Sequence, residues 1–275
     1  ARARTAWQGQ AIVAAVPALD VGGARLWYDE AGTGPAVLLL HGDLGDSGLW
    51  EPVVPLLAER VRAIRTDLRF FGRSTGPAAP WSWPEDVVGV LDGLGLERAA
   101  LVGLSLGGQI ALDVALAHPE RLWALGLVAP TELSGCEAVR YTAAQRARYE
   151  QAQAAHDLEA MMAVDFEVSA PLGADERMRR LWHATPKANP LPAGLAPLRP
   201  SGAPAAQRLD ELGLPVLVVT VAHDPPGLRA IGPLVARSAP QARHVELDSD
   251  QYATLREPEL VARVLLEFLL PAPVP

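Results

Sequence analysis

Gly103-Leu104-Ser105-Leu106-Gly107 stands between an apolar run, Ala99 to Val102, and a helix-like stretch, Gln109 to Ala117. Strand-forming residues on one side and helix-forming residues on the other leave five positions for the chain to reverse. A turn that tight has no room for Cβ atoms, which accounts for the flanking glycines, and Gly108 lets the helix pack closely on the strand. The stretch reads as a strained strand-to-helix turn that lifts the Ser105 hydroxyl above a sheet.

Outward from this turn, apolar and amphipathic runs alternate, as parallel strands joined by crossover helices require. Leu19 to Val21 and Ala24 to Tyr28 flank Gly22-Gly23 and predict an antiparallel hairpin. Ala36 to Leu40, Val61 to Arg65, Ala99 to Val102, Ala124 to Val128, Pro215 to Val221 and Ala242 to Leu247 read as further strands. Trp50 to Glu59, Pro84 to Leu94 and Pro258 to Leu270 read as helices, the second and third opened by proline. Between Thr131 and about Gln207 the pattern changes. Ala143 to Val164 and Asp175 to Trp182 look helical, and Pro186 to Pro204 is rich in proline, alanine and glycine. The expected organisation is a mostly parallel eight-stranded α/β core, residues 1–132 and 207–275, with a helical cap, residues 133–206, inserted after strand six. Trp182, Met161, Met162 and Phe166 are candidates for the wall of a pocket under that cap.

The chain has 275 residues, 49 % of them hydrophobic, enough for one sizeable core. A formal charge of −8 argues against nucleic acid or an anionic membrane as partner. The single cysteine, Cys136, excludes an intrachain disulfide and a thiolate metal site, and a reducing, cytoplasmic setting is expected. Of 24 basic residues only Lys187 is a lysine. No stretch reads as a transmembrane helix. The apolar patch at Ala11 to Val16, after Arg2 and Arg4, is too brief for a signal peptide. No metal-ligand cluster or phosphate-cradling loop suggests a cofactor, and nothing fixes an oligomeric state.

Several motifs resemble the α/β-hydrolase fold superfamily, with a serine nucleophile and a cap, of the esterase or lactonase kind. Leu38-Leu39-Leu40-His41-Gly42 resembles its strand and oxyanion loop. Asp67-Leu68-Arg69-Phe70-Phe71-Gly72-Arg73-Ser74 resembles a signature loop, with Phe70 where glycine is usual. His118-Pro119-Glu120-Arg121, Val218 to Asp224 and Leu255 to Glu259 resemble the helix end, the acid loop and the last helix start. The likeness runs from about Val21 to Leu270. It implies a Ser-Asp-His order, with Ser105 as nucleophile at the elbow and Asp224 as the acid. Glu132, just past the sixth strand, is the alternative acid. The oxyanion hole would use the backbone N–H groups of Leu106 and Asp43.

The position of the histidine, however, reads Asp248-Ser249-Asp250-Gln251-Tyr252. An amide has no usable basicity near neutral pH, so Gln251 can hold a hydrogen bond but cannot take the serine proton. His41, His118, His156, His183, His223 and His244 do not occupy that slot. Three readings follow. The first is an ester or lactone hydrolase of small hydrophobic molecules, disabled or trapped by Gln251. The second is a non-hydrolytic biosynthetic enzyme, a cyclase, lyase or isomerase, with Asp43, Asp250 or Tyr252 as acid or base. The third is a non-catalytic binding protein, which the intact elbow, acid and cap disfavour.

Overall fold

The computed structural model describes residues 17–136, 140–189, 191, 195–198 and 202–270. The stretch read for a leader lies outside them. Eight strands form one sheet: β1 (Ala18–Val21), β2 (Ala24–Ala31), β3 (Ala36–Leu40), β4 (Arg62–Thr66), β5 (Ala99–Leu104), β6 (Leu122–Val128), β7 (Val216–Val221) and β8 (Ala242–Leu247), in the order β1-β2-β4-β3-β5-β6-β7-β8. The pairs β1/β2 and β2/β4 are antiparallel, and all the others are parallel. Gly22 and Gly23 both take positive φ, 52° and 77°, which a two-residue hairpin turn between twisted strands demands.

The central strands are buried on both faces, which is why they read as unbroken apolar runs rather than alternating ones. Along β3, Val37 and Leu39 join one apolar cluster while Leu38 and Leu40 join the other. The first cluster takes in α1 (Val54–Ala58), the last helix α10 (Pro258–Leu269) and the inserted helices. The second takes in α2 (Trp83–Gly93), α3 (Leu106–Ala117) and α8 (Ile231–Ser238). Short helices α7 (Pro226–Arg229) and α9 (Ala253–Arg256) follow β7 and β8.

Between β6 and β7 the chain inserts α4 (Ala143–Ala154), α5 (Leu158–Ser169) and α6 (Glu176–His183). The single helix expected over Ala143 to Val164 is in fact two. His156 turns left-handed at φ 53°, and the Asp157 side chain caps α5 by accepting from Ala160 N–H at 3.0 Å. Trp50 to Glu59 is likewise split: a 3₁₀ turn at Ser47–Trp50 precedes α1, because Pro52 and Pro55 have no N–H to donate within a continuous helix. Phe70 stands at φ 71°, the left-handed conformation that the usual glycine would adopt without strain, and its ring packs edge-on against Trp81 at 4.9 Å. Among the described residues no helix is long and apolar enough to cross a membrane.

Candidate active site at the Ser105 elbow

Ser105 sits between β5 and α3 with φ 53° and ψ −115°, a strained conformation for a residue bearing a side chain. The glycines make the turn possible. A Cβ on Gly103 would lie 2.1 Å from Gly107 O, and one on Gly107 would lie 2.4 Å from Leu40 O. Ser105 N–H donates to Val128 O at 2.9 Å, fixing the turn to the neighbouring strand. Its side chain is buried, and its hydroxyl shares a 2.9 Å hydrogen bond with the Thr131 hydroxyl.

Leu106 opens α3, so its N–H points out of the helix start, where the macrodipole favours negative charge. The N–H groups of Leu106 and Asp43 find no acceptor among the described residues. The Asp43 loop is braced by His41, which is fully buried. Leu68 N–H donates to its Nε2 at 2.9 Å and its Nδ1 bonds Gly42 O at 2.8 Å, so the proton sits on Nδ1. Burial, against the pull of Asp67, lowers its pKa and keeps the ring neutral.

On the other flank of Ser105 lie the loops after β7 and β8. They are joined by hydrogen bonds from Ala222 N–H to Leu247 O and from His223 N–H to Ser249 O. Gln251 Nε2 donates to Asp224 Oδ2 at 2.5 Å, and both side chains are buried. Asp224 Oδ1 is buried without a partner among the described residues. Burial pushes the Asp224 carboxyl up to about 7, with Asp250 adding to the rise; the Gln251 hydrogen bond and the charges of Arg140 and Arg229 oppose it. A groove of about 460 Å³ runs past Asp224, bounded by His223, Pro225 and the inserted-segment residues Arg140, Thr142 and Glu167.

The inserted segment brings charge to the Asp43 side. Arg140 Nη1 and Lys187 Nζ approach the same oxygen, Asp43 Oδ2, at 2.9 and 3.3 Å, leaving Oδ1 buried and unpartnered. Burial would raise the Asp43 pKa, but Arg140 and Lys187 together outweigh it and hold the carboxylate well below its usual range. Lys187 also contacts Asp165 at 3.0 Å, and Asp165 further accepts from Trp182 Nε1 at 2.7 Å and from the Tyr141 hydroxyl. Arg140 Nη2 donates to Ser169 Oγ at 2.8 Å, while Ser169 O accepts from Gln251 N–H at 3.2 Å.

Sequence reasoning missed Arg140, Lys187, Asp165, Ser169 and Thr131. The one available signal was Lys187, the sole lysine of an arginine-rich chain. The inner face of the insertion is therefore more charged than the expected apolar wall. Met161, Met162, Phe166 and Trp182 belong to the same apolar cluster as Leu49 and Trp50 of the core.

Glu132, the alternative acid, does not meet Gln251, whose amide is bonded to Asp224. It is exposed and lines a separate pocket with Leu106, Gln109 and Asp113. Tyr252 is fully buried, its ring edge-on to Phe166 at 6.0 Å and its hydroxyl unpartnered. Burial, then Asp165 and Asp43, raise its pKa, so it is a neutral hydrogen-bond donor rather than a base. Asp250 is held by Arg256 at 2.8 Å and by the N–H groups of Tyr252 and Leu172. No histidine is hydrogen-bonded to the Ser105 hydroxyl: His223 bonds Asp248, His244 bonds Thr220, and His118 bonds Glu85.

An eight-stranded, mostly parallel sheet with a strained serine elbow and a helical insertion after strand six defines an α/β-hydrolase architecture. The model of the alpha/beta hydrolase fold matches residues 35–253, and the chain belongs to that family. RutD of Agrobacterium fabrum, named for carbamate hydrolysis, is 31% identical over 251 residues, covering 86% of this chain and 94% of the relative. A 2-hydroxymuconate semialdehyde hydrolase of a Pseudomonas species is 38% identical over 133 residues, but the match spans only 46% of this chain and 44% of that protein. A solved hydrolase structure from Pseudomonas aeruginosa superposes with a TM-score of 0.75 at 25% identity, over 94% of this chain and 99% of that one.

Proposed function

We propose that the protein acts on a small ester- or lactone-like carbonyl compound bound over Ser105, at a site whose serine lacks the base that would activate it. The observation that carries this reading is the Gln251–Asp224 hydrogen bond. The residue in the histidine slot faces the acid and has nothing with which to accept the Ser105 proton, while the Ser105 hydroxyl is engaged with Thr131. The rest of the apparatus for a carbonyl is kept. Two unpartnered N–H groups, of Leu106 and Asp43, would receive the carbonyl oxygen, and the charge of Asp43 beside them is met by Arg140 and Lys187. With polar groups on the cap face, the ligand is small and polar at one end rather than uniformly hydrophobic. A cyclase, lyase or isomerase using Asp43 or Tyr252 has weaker support, because two cations suppress the basicity of Asp43 and the Tyr252 phenol stays neutral.

The test is Gln251→His with an activated nitrophenyl ester and a fluorophosphonate probe. Losing a triad member typically costs about 10⁴-fold, so restoring it raises ester turnover by several orders of magnitude and turns weak Ser105 labelling strong. Strong labelling of the unaltered chain would show that Ser105 already has a base and would overturn the reading.

A further inference from the structure

Five aspartates are buried among the described residues: Asp67, Asp86, Asp165, Asp224 and Asp250. Four hold a cation. Asp67 pairs with Arg73 at 2.9 Å, Asp86 with Arg69 at 2.5 Å, Asp165 with Lys187 at 3.0 Å and Asp250 with Arg256 at 2.8 Å. Asp224 alone has no cation within contact among those residues. Its one partner is the neutral Gln251 amide on Oδ2, and its Oδ1 accepts nothing. Buried charges are ordinarily paired because an unpaired one is costly. This exception lines a groove of about 460 Å³ between the inserted segment and the loop after β7.

We propose that Asp224 is itself the proton-exchanging residue of the site, acting on the ligand or on the water that attacks it, with Gln251 as its positioning residue. The inference deepens the reading above and rests on it only for the carbonyl substrate. In hydrolysis, a water proton passes to Asp224 Oδ1 as the water oxygen bonds to the carbonyl carbon. The C=O π pair moves onto the carbonyl oxygen, held by the N–H groups of Leu106 and Asp43. Collapse re-forms the double bond and breaks the bond to the leaving oxygen, which takes the proton back from Asp224. No acyl-enzyme forms, so Ser105 needs no histidine.

The surroundings suit that role. Facing Asp224 are Gln251 and Asp250 from the loop after β8, Arg140 and Glu167 from the insertion, Arg229 of α7, and His223 beside it. Burial dominates among these influences, and with the carboxyl at about 7 both protonation states are populated near neutral pH, as a proton carrier requires. Glutamine fits better than histidine here. Its amide does not titrate, and it holds Oδ2 through Nε2 when Asp224 is ionised or, after rotation, through Oε1 when Asp224 is protonated.

The test uses 5-nitrobenzisoxazole, whose opening needs only a base. The base removes the ring C–H proton, the freed pair completes a nitrile, the N–O bond breaks, and a coloured nitrophenolate leaves. Because neither nucleophile nor carbonyl is involved, the result is independent of whether Gln251→His rescues ester turnover. The expected result is catalysed opening that rises with pH to a plateau, half-maximal near 7, and falls by at least about 10²-fold in Asp224→Asn. Asp113→Asn is the control. It removes a second carboxyl whose pKa is raised, by burial and then by Glu132, to about 6, outside the site on α3, and leaves rate and profile unchanged. Circular dichroism separates loss of folding from loss of the base, and the native pH profile stands without any variant. Opening no faster than in buffer, a rate flat from about pH 5 to pH 9, or full activity in folded Asp224→Asn would each overturn the assignment.

Discussion

Asp43, half-buried, and Asp224, buried, stand on opposite sides of the same elbow and meet opposite fates. On the Asp43 side, Arg140 and Lys187 bring two cations to one oxygen, and Asp165 steadies Lys187 from behind. On the Asp224 side the only side-chain partner among the described residues is an amide. Burial pushes both carboxyls toward the neutral form; contacting cations reverse the push for Asp43, whereas at Asp224 the more distant charges of Arg140 and Arg229 only weaken it. Two carboxyl groups whose pKa values are driven apart divide their work. One is a fixed charge that organises the cap, and the other is free to trade a proton.

The largest effect comes from breaking the charged flank at its buried end. Asp165→Ala leaves Lys187 with Asp43 as its one remaining carboxylate and the Trp182 and Tyr141 donors without their acceptor, so it should destabilise the protein by about 3–5 kcal/mol. Thermal unfolding checks this, and an unchanged melting temperature would mean that the network does not hold the cap.

The uncharged flank should respond with the opposite sign. Folded Asp224 retains its proton up to about 7, whereas the unfolded residue loses it near 3.8. The folded state therefore binds more protons between these values, and the stability contributed by this residue is complete below about 4 and declines as pH rises toward 7. Asp224→Asn removes the decline and should stabilise the protein by roughly 1–3 kcal/mol at pH 8, with no gain at pH 4. Denaturant titrations at the two pH values read the difference. A destabilised variant at pH 8 would dissolve the contrast between the flanks.

Smallest is the effect of Asp43→Asn. Arg140 keeps Ser169 and Lys187 keeps Asp165, so the cost at neutral pH is about 1–2 kcal/mol. Here the pKa is depressed, and the stabilisation is present above 3.8 and lost as pH falls below it. The variant should thus be less acid-sensitive than the native chain. Unfolding curves that remain parallel down to pH 3 would show that Asp43 carries no such charge.

Features encoded by neighbours in the chain were legible, and those built by distant residues were not. The elbow can be read because its constraint is local: only glycine fits at 103 and 107. β8 falls at Ala242–Leu247 as its apolar pattern predicts. The break in the insertion at His156 escaped because alanine-rich sequence continues the helical pattern across a turn that Asp157 caps. That Gln251 would meet Asp224 rather than Glu132 could not be read from chain position, which says nothing of the direction a side chain faces. The charged flank could not be read at all. Arg140 lies 97 residues from Asp43, and no local pattern relates them. Gln251, in contrast, stood out in the sequence because the elbow, acid loop and last-helix motifs bracket it.

Ser169 gives the molecule a mechanical linkage. Its carbonyl tethers the main chain of Gln251, its hydroxyl tethers Arg140, and three residues on, Leu172 N–H reaches Asp250. The end of α5 is thus bolted at once to the latch on Asp43 and to the loop that steadies Asp224. A displacement of that helix end would break the hydrogen bonds to Arg140, Gln251 and Asp250 together, so the two flanks of the elbow share one anchor.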